Sequence, residues 1–278
     1  MTGTLVFTLQ VPGPFKFESE PYTIALGPAT IRKADRKLLA WWKFDENSGN
    51  TAADLSGNGY TGTLVGNPRW QPSGGRFGGA LEFDGNSHVE VPTLDLTTDT
   101  VTFVAWINGW KVADMTGIVL SRNLPGGLIA GGIHFGQNDT LHYTWNNNST
   151  KTYIWDDGPK IPRDEWAMLA MTIEPAKATA YVCTQANGLQ KSVNKIDHVP
   201  QNMNALKIGW DSWSAERHFK GLIDDVRIYN YPLSQAEVAA LYAGKELRKG
   251  RNWMPVVVIV VIAVVVVGLA TRRKKTTT

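Results

Sequence analysis

The chain has 278 residues, a formal net charge of +3 and 19% charged residues. Much of the basic excess lies near the C-terminus, so the rest of the chain lacks the basic face that nucleic-acid binding requires, and we expect no nucleic-acid partner. A single cysteine excludes a scaffold of intrachain disulfides, whereas 11 tryptophans indicate a large buried core.

Residues 1–37 are predicted to form an N-terminal arm or a set of edge strands. Two short runs, 4–11 and 22–26, are rich in strand-forming residues. Prolines stand between them and interrupt any longer strand. The role of this segment is left open.

From residue 38 onward, short strand-like runs alternate with turns rich in Gly, Asn, Asp and Pro. The predicted strands are 38–44, 60–65, 80–83, 88–91, 101–110, 117–121, 132–135, 140–145, 151–155, 166–173, 178–184, 206–210 and 219–229. No helix separates these runs, which argues against a parallel α/β sheet. The pattern predicts an antiparallel β-sandwich over residues 38–244.

One short helix is predicted after the last strand. Ser234 and Glu237 have the spacing of a capping box, in which each side chain bonds to the backbone of the other residue. Val238 and Leu241 supply an apolar stripe. The helix is expected to end near Gly244, and residues 245–252 are expected to form a short basic stalk.

Residues 253–271 contain no charged side chain and are rich in Val and Ile. About 19 residues at the helical rise span roughly 28 Å, the thickness of a bilayer core. The sequence therefore predicts one C-terminal transmembrane α-helix, a basic tail at 272–278 and a single-pass membrane protein in contact with lipid. Basic residues flank both ends of the span, so the side of the membrane is left open between a cell surface and a virion membrane.

Four segments carry a family resemblance. They are Trp42–Gly49 with Asp54–Gly59, Gly79–Gly85, Val101–Trp106, and Gly221–Asn230 with Leu233–Glu237. In this order they resemble the signatures of laminin-G-like, concanavalin A-like lectin/glucanase domains. The resemblance covers roughly residues 38–243 and implies an all-β, antiparallel jelly-roll sandwich.

The apolar positions within these segments agree with two packed sheets. The residues expected to face the interior are Phe44, Leu81, Phe83, Phe103, Ala105, Ile223 and Val226.

The resemblance extends to glucan hydrolases, which place carboxylates on one strand in the pattern Glu-x-Asp-x-x-Glu. Here Glu82 and Asp84 match the first two positions, but Ser87 stands at the third and a turn interrupts the strand. Asp224 and Asp225 are adjacent, so on a regular strand they would point to opposite faces. We therefore expect no enzyme activity and name no catalytic residue.

The resemblance also implies a structural Ca²⁺ ion at a rim of the sandwich. The candidate ligands are Asp54, in a Ser-Gly turn, and Asp225, in the closing strand. The alternative for Asp54 is a tight turn with Ser56 and Gly57, in which its carboxylate caps backbone N–H groups.

Two stretches combine aromatic side chains with Asn and Asp, as sugar-binding sites do. The candidate ligand-binding residues are Trp145, Asn147, Trp155 and Asp157 in the first stretch and Trp210 and Trp213 in the second. The alternative is that these aromatics are half-buried parts of the sandwich.

Three functional hypotheses follow. The first is a membrane-anchored, non-catalytic binding module that recognises carbohydrate or a partner protein. The second is a structural subunit of a larger membrane-associated assembly or of a lipid-containing virion. The third, which the sequence favours least, is a glycan hydrolase.

Overall fold

The computed structural model describes residues 36–247, apart from 112, 123–129, 147–151 and 156, together with four strands closer to the N-terminus. Strand β1 (Thr2–Leu5) pairs with β4 (Tyr22–Ala25), and β2 (Thr8–Gln10) pairs with β3 (Lys16–Glu18). These strands belong to a different compact unit from residues 36–251.

The larger unit contains two main antiparallel sheets. The seven-stranded sheet has the spatial order β15 (Leu141–Trp145), β14 (Ala130–Phe135), β13 (Gly117–Arg122), β20 (Leu206–Ile208), β10 (His88–Glu90), β7 (Gly62–Val65) and β6 (Thr51–Ala52). Its strand pairs connect distant parts of the chain, as the non-local connections of a jelly roll require.

The eight-stranded sheet has the order β18 (Gly188–Asn194), β17 (Lys177–Thr184), β16 (Ala167–Glu174), β12 (Val101–Lys111), β21 (Phe219–Tyr229), β9 (Ala80–Asp84) and β8 (Arg69–Gln71), with β5 (Leu38–Trp42) paired to β21. A separate short pair joins β11 (Thr97–Thr98) and β19 (Gln201–Asn202). The prediction of an all-β sandwich is confirmed.

The main core lies between the inner faces of the two sheets. All seven residues predicted to face the interior are buried in this one cluster, along with Trp42, Phe135 and Trp145. Each large apolar side chain that is fully removed from water contributes about 1.5–3 kcal/mol. The aromatic content of the sequence is therefore used mainly to fill the sandwich.

A second core covers the outer face of the eight-stranded sheet. Helix α1 (Gln235–Tyr242) packs there, with Tyr242 stacked on Trp106 at a ring-centroid distance of 5.4 Å. The predicted capping box between Ser234 and Glu237 is confirmed. Cys183 is buried in the same cluster, and desolvation raises the pKa of its thiol to about 12, so it is a core residue.

The outer face of the seven-stranded sheet is shielded from water where β13, β14 and β15 lie. Leu141 and Tyr143 point into the main core, so His142 and Thr144 point outward, yet both are buried. Residues 152–155 lie near this face, because His142 Nδ1 is 3.2 Å from the carbonyl oxygen of Tyr153. Polar side chains are thus held on this sheet in a partly closed environment.

The prediction and the structure differ at two elements. The predicted strand 151–155 is wrong, since residues 152–154 form a turn. Strand β18, which was not predicted, is a polar edge strand with several exposed side chains and lacks an alternating apolar pattern.

Within the described residues, no helix has the length and apolar character needed to cross a bilayer. The predicted span 253–271, the tail 272–278 and most of the stalk lie outside the described residues.

Candidate functional site

A small pocket opens on the outer face of the seven-stranded sheet. Its volume is about 110 Å³, and it is lined by Met115, Arg122, Thr144, Tyr153, Trp213 and Arg217. Arg122 ends β13 and Thr144 belongs to β15, whereas Met115, Tyr153 and Trp213 come from turns and Arg217 ends the short 3-10 helix Ala215–Arg217. Rigid strands therefore form one wall, and loops form the other.

Asp211 holds the loop wall against the strand wall. Its Oδ1 accepts hydrogen bonds from Arg122 Nε at 2.6 Å and from the backbone N–H of Trp213 at 3.0 Å. Its Oδ2 lies 3.3 Å from Arg122 Nη2 and 3.5 Å from Arg217 Nη1. Because Asp211 and Arg122 are both buried, this pairing fixes the loop firmly.

Trp213 is the exposed aromatic of the pocket, with 52% of its surface accessible. The guanidinium carbons of Arg122 and Arg217 lie 5.3 and 5.8 Å from its ring centroid, within the range of cation–π attraction. The ring is thus restrained in orientation while it remains open to solvent.

A neutral imidazole lies behind Thr144, one of the lining residues. His134 Nδ1 lies 2.9 Å from the carbonyl oxygen of Phe135, so Nδ1 carries the proton, and Nε2 accepts the hydrogen bond from Thr144 Oγ1 at 3.0 Å. Burial lowers the pKa of His134 to about 4. The Thr144 hydroxyl therefore has lone pairs left to accept a hydrogen bond from a ligand.

The pocket joins the two aromatic stretches that the sequence predicted to bind a ligand. Trp213 comes from the second stretch, and Thr144 and Tyr153 lie in or next to the first. Asp157 is exposed and Trp155 is half-buried against Tyr143. Asn147 lies outside the described residues.

Two of the predicted binding tryptophans do not offer a free ring face. Trp145 is only 2% exposed, and its indole Nε1 donates to the carbonyl oxygen of Val199 at 2.8 Å, so it is a core residue. Trp210 is half-buried and packs between His88 and His218. Both tryptophans support the fold around the pocket.

The lining residues that sequence reasoning missed are Met115, Arg122, Thr144, Tyr153 and Arg217, and it did not single out Asp211, which pairs with both arginines. Asp211 stands inside the predicted Trp210–Trp213 stretch, and its position between two tryptophans is a signal that could have found it. Arg122 is 89 positions away from Asp211, and no local pattern relates the two.

The predicted calcium ligands are both close to Trp41. The Asp54 carboxylate accepts hydrogen bonds from the backbone N–H groups of Trp41, Ser56 and Tyr60 at 2.9–3.0 Å and from Ser56 Oγ at 2.8 Å. This confirms that Asp54 caps a tight turn. Burial alone would raise the pKa of Asp54, but these hydrogen bonds outweigh it and lower the pKa.

Asp225 is also engaged by protein groups. Its Oδ1 accepts from Trp41 Nε1 at 2.6 Å and from Arg227 Nε at 3.0 Å. Among the described residues, no group of three or more His, Cys, Asp or Glu side chains is arranged to hold a metal ion. Both carboxylates already accept hydrogen bonds from protein groups, which does not favour a calcium site, and calcium binding stays an untested prediction.

The carboxylates considered for glycan hydrolysis are held in local hydrogen bonds. Glu82 is 2.9 Å from Arg69 Nη2, and its other oxygen accepts from Gln71 Nε2. Asp84 accepts from the backbone N–H of Asn86 and from Ser87 Oγ. These contacts use both carboxylates to stabilise β8, β9 and the following turn.

Asp224 and Asp225 depart from the expectation that they point to opposite faces. The register between β12 and β21 shifts at this point, and Asp225 has a φ of 49°, which together make a β-bulge. Asp224 is opposite Trp106 on the outer face, and Asp225 contacts Arg227 on the same face. Burial, with a further contribution from Asp225, raises the pKa of Asp224 to about 7.

Comparisons with known proteins agree with this architecture. The family described as the concanavalin A-like lectin/glucanases superfamily (laminin G 3) matches residues 83–239, which is more than half of the chain. No match was found among curated proteins.

Two solved structures illustrate the shared fold. Domain 4 of AbnA, an extracellular GH43 arabinanase from Geobacillus stearothermophilus solved in complex with arabinotriose, has a TM-score of 0.58 and 22% identity, covering 74% of this chain and 98% of that domain. Trypanosoma rangeli sialidase in complex with 2,3-difluorosialic acid has a TM-score of 0.53 and 15% identity, covering 74% of this chain and 32% of the sialidase. The sheet order, the family match and these structures lead to one conclusion: the chain belongs to the concanavalin A-like lectin/glucanase superfamily.

Proposed function

We propose that this chain is a non-catalytic carbohydrate-binding module and that it holds a sugar in the pocket beside Trp213. The observation that carries the proposal is the half-exposed Trp213 ring, held in place by two arginines at the mouth of a polar pocket. An exposed aromatic face bordered by hydrogen-bonding groups is the usual arrangement for stacking a sugar ring.

The volume of the pocket limits the size of the ligand that it can hold. At about 110 Å³ it is smaller than the roughly 300–1,000 Å³ of sites for drug-sized ligands, so it accommodates part of one sugar ring rather than an oligosaccharide. The complex of the similar arabinanase domain with arabinotriose supports carbohydrate as the ligand class. The remainder of a glycan would extend over the surface near Trp213.

Non-catalytic binding is supported by the pairing and burial of the acidic side chains. Glycoside hydrolysis requires two carboxyl groups on either side of the scissile bond. Glu82 is paired with Arg69 and Gln71, and Asp224 is fully buried, which raises its pKa and removes it from contact with a ligand. Asp211, the carboxylate at the pocket, is bound by two arginines and has little exposed surface.

The binding proposal is tested by replacing Trp213 in the full chain, purified in mild detergent. The Trp213→Ala variant should lose tenfold or more in affinity for the best ligand on a glycan array, because stacking contributes on the order of 1.5 kcal/mol. Leu55→Ala is the matched control, since Leu55 is exposed to a similar extent but lies outside the pocket. Binding that is unchanged in Trp213→Ala, or absent for every glycan, contradicts the proposal.

We further propose that residues 253–271 anchor the module in a membrane as a single span, with lipid as its second partner. The support is the uncharged Val- and Ile-rich sequence, bounded by Trp253 and by the basic run that begins at Arg272. An anchor of this kind would concentrate the binding module at a surface, where weak single-site affinity is strengthened by multiple attachment.

A further inference from the structure

We infer that the pocket opens in acid. The segment that carries Trp213, residues 210–218, is here called the pocket loop. It is held to the seven-stranded sheet by three packed rings, those of His88, Trp210 and His218, and proton uptake by the two imidazoles releases the loop together with a bound sugar. This inference rests on the proposed function and describes the regulation of the same pocket.

The pocket loop begins and ends at one point of the sandwich. The backbone N–H of Phe219 donates to the carbonyl oxygen of Gly209 at 3.0 Å, which closes the base of the loop. The first and last residues of the loop therefore lie side by side. Their rings, Trp210 and His218, stack with an angle of 16° between the planes.

His88 joins this ring pair to the sheet. Its neighbour Val89 points into the main core, so His88 lies on the outer face of β10. The centroid of its ring is 4.5 Å from that of Trp210, which packs between the two histidines. His218 Nδ1 also donates to the carbonyl oxygen of Gly85 at 3.0 Å. The loop is thus docked through neutral aromatic rings.

The surroundings of both imidazoles disfavour their charged forms. Burial, together with the charge of Lys207 on the neighbouring strand, lowers the pKa of His88 to about 4, although Glu90 acts in the opposite sense. Burial also lowers the pKa of His218, with a further contribution from Lys207, while its backbone hydrogen bond and Asp211 partly offset the effect. The stack is therefore neutral at neutral pH.

The two imidazoles differ in how well they tolerate a proton. An indole face attracts a cation, so one charged imidazole of the stack is compensated in part. His218 takes this proton, because it has a hydrogen bond in place and Asp211 nearby. A proton on His88 then meets this charge as well as Lys207. The buried Nδ1 of His88 has no hydrogen-bond partner among the described residues, so movement of Trp210 away from it, which admits water, relieves the charge.

Movement of Trp210 disturbs the pocket directly. The next residue is Asp211, whose Oδ1 accepts hydrogen bonds from Arg122 and from the backbone N–H of Trp213. Trp213 therefore keeps its orientation while the Trp210 end of the loop is docked. A sugar that stacks on Trp213 binds the docked loop in preference to the open one, so proton uptake and sugar binding oppose each other.

Hydrogen exchange tests the opening of the loop without any ligand. The amides of residues 210–218 are followed by mass spectrometry on the full chain in mild detergent, with correction for the intrinsic exchange rate at each pH. The open loop takes up protons near the ordinary histidine pKa of 6.5, whereas docked His88 takes one up at about 4. The opening constant should therefore rise by roughly tenfold or more between about pH 7 and about pH 5.

Three variants assign this response to the stack. His88→Phe keeps a ring against Trp210 but does not titrate, so its opening constant should change by less than about twofold over the same range. His88→Gln loses the ring and should open more than the wild type at neutral pH, with little further rise in acid. His198→Gln is the control, since this buried histidine packs on Tyr143 and Trp145 instead and the variant should keep the wild-type response. Melting curves at each pH verify folding.

The sugar is then tested on the same variants. The affinity for the best ligand from a glycan array, measured by calorimetry, should fall by about threefold or more from about pH 7 to about pH 5 in the wild type and stay constant in His88→Phe. An opening constant that does not change with pH, or a rise that persists in His88→Phe, overturns the inference and leaves carbohydrate binding in place. Sugar affinity that stays constant while the loop opens also overturns it. Absence of binding to any sugar at neutral pH overturns the proposed function itself, whereas the exchange measurement decides the proton response independently.

Discussion

The Asp54 carboxylate organises a turn, at a position where the family resemblance implied a metal ligand. Its oxygens receive hydrogen bonds from three backbone N–H groups and one hydroxyl, which join β5 to the turn that follows. A carboxylate so occupied has a structural role without any ion. The Asp-x-Ser-Gly pattern indicated such a turn, and the structure confirms it.

The Asp54→Ala variant should lower the free energy of unfolding by roughly 2–4 kcal/mol, because several partly buried donors lose their acceptor. Urea unfolding of residues 36–247 measures the change. We expect the same loss with millimolar calcium as with a chelator. Calcium that stabilises the wild type and has no effect on Asp54→Ala would instead identify Asp54 as a metal ligand.

At the residue scale, the candidate site could be predicted only in part. Trp213 was found because an exposed aromatic beside polar residues is recognisable in a local stretch of sequence. Trp145 has an equally suggestive context but turns inward, because alternation along β15 places it on the core face. Which face a strand residue occupies depends on pairing partners that are distant in sequence.

Among the elements, β21 contains a bulge that changes which face its carboxylates occupy. Its bulge places Asp224 and Asp225 on one face, beneath the segment that contains Phe77. Asp224 Oδ2 accepts from the backbone N–H of Phe77 at 2.9 Å, whereas the buried Oδ1 has no hydrogen-bond partner among the described residues. A carboxyl group in this setting is more stable protonated than ionised.

Stability should therefore depend on pH through Asp224. The unfolded carboxyl ionises near the ordinary pKa of 3.8, whereas the folded one ionises at about 7. Between these values the folded state holds a proton that the unfolded state has released, so stability falls as the pH rises through this window.

The Asp224→Asn variant should remove this loss of stability with rising pH. Compared with the wild type, the variant should be similar in stability near about pH 4 and more stable by on the order of 3 kcal/mol at about pH 8. Urea unfolding across this range measures the difference, with the exposed Asp157→Asn as the control. A difference between Asp224→Asn and wild type that is constant with pH would show that Asp224 is not the titrating group.

The elements that could be predicted from the sequence are those whose own residues form a recognisable pattern. The long central strands β12 and β21 and the capped helix α1 have apolar runs or caps of their own. Strand β18 has neither, and its pairing with β17 alone makes it a strand. Residues 152–154 have aromatic, strand-favouring neighbours yet form a turn, because their contacts with the outer face of β15 override local preference.

At the scale of the whole molecule, the sandwich could be predicted because its signatures are spread along the chain in a fixed order. The pocket could not, because its two walls come from β13 and from the loop after β20, and only the fold brings Arg122 to Asp211. Sequence reasoning therefore reached the region of the candidate site and one of its lining residues, Trp213, but not its two arginines.

The predicted membrane span gives a test at the same scale. The full chain should remain with membranes after an alkaline carbonate wash, whereas a chain lacking residues 253–271 should be released. Replacing Val261 and Val265 with Arg should also release it, because each charge at the centre of a span costs about 2.5–3.5 kcal/mol. Release of the unmodified chain by carbonate would contradict the anchor.

The last described residues of the chain are joined to the closing strand by Arg227. Its Nη1 and Nη2 donate to the two carboxylate oxygens of Glu246 at 3.1 Å, and its Nε donates to Asp225 Oδ1 at 3.0 Å. Because Arg227 and Asp225 are buried, this two-point contact holds the segment after α1 against the outer face of the eight-stranded sheet. Fraying of that segment would cost Arg227 one of its two ionic partners, so the end of the described chain is stabilised by the sheet itself.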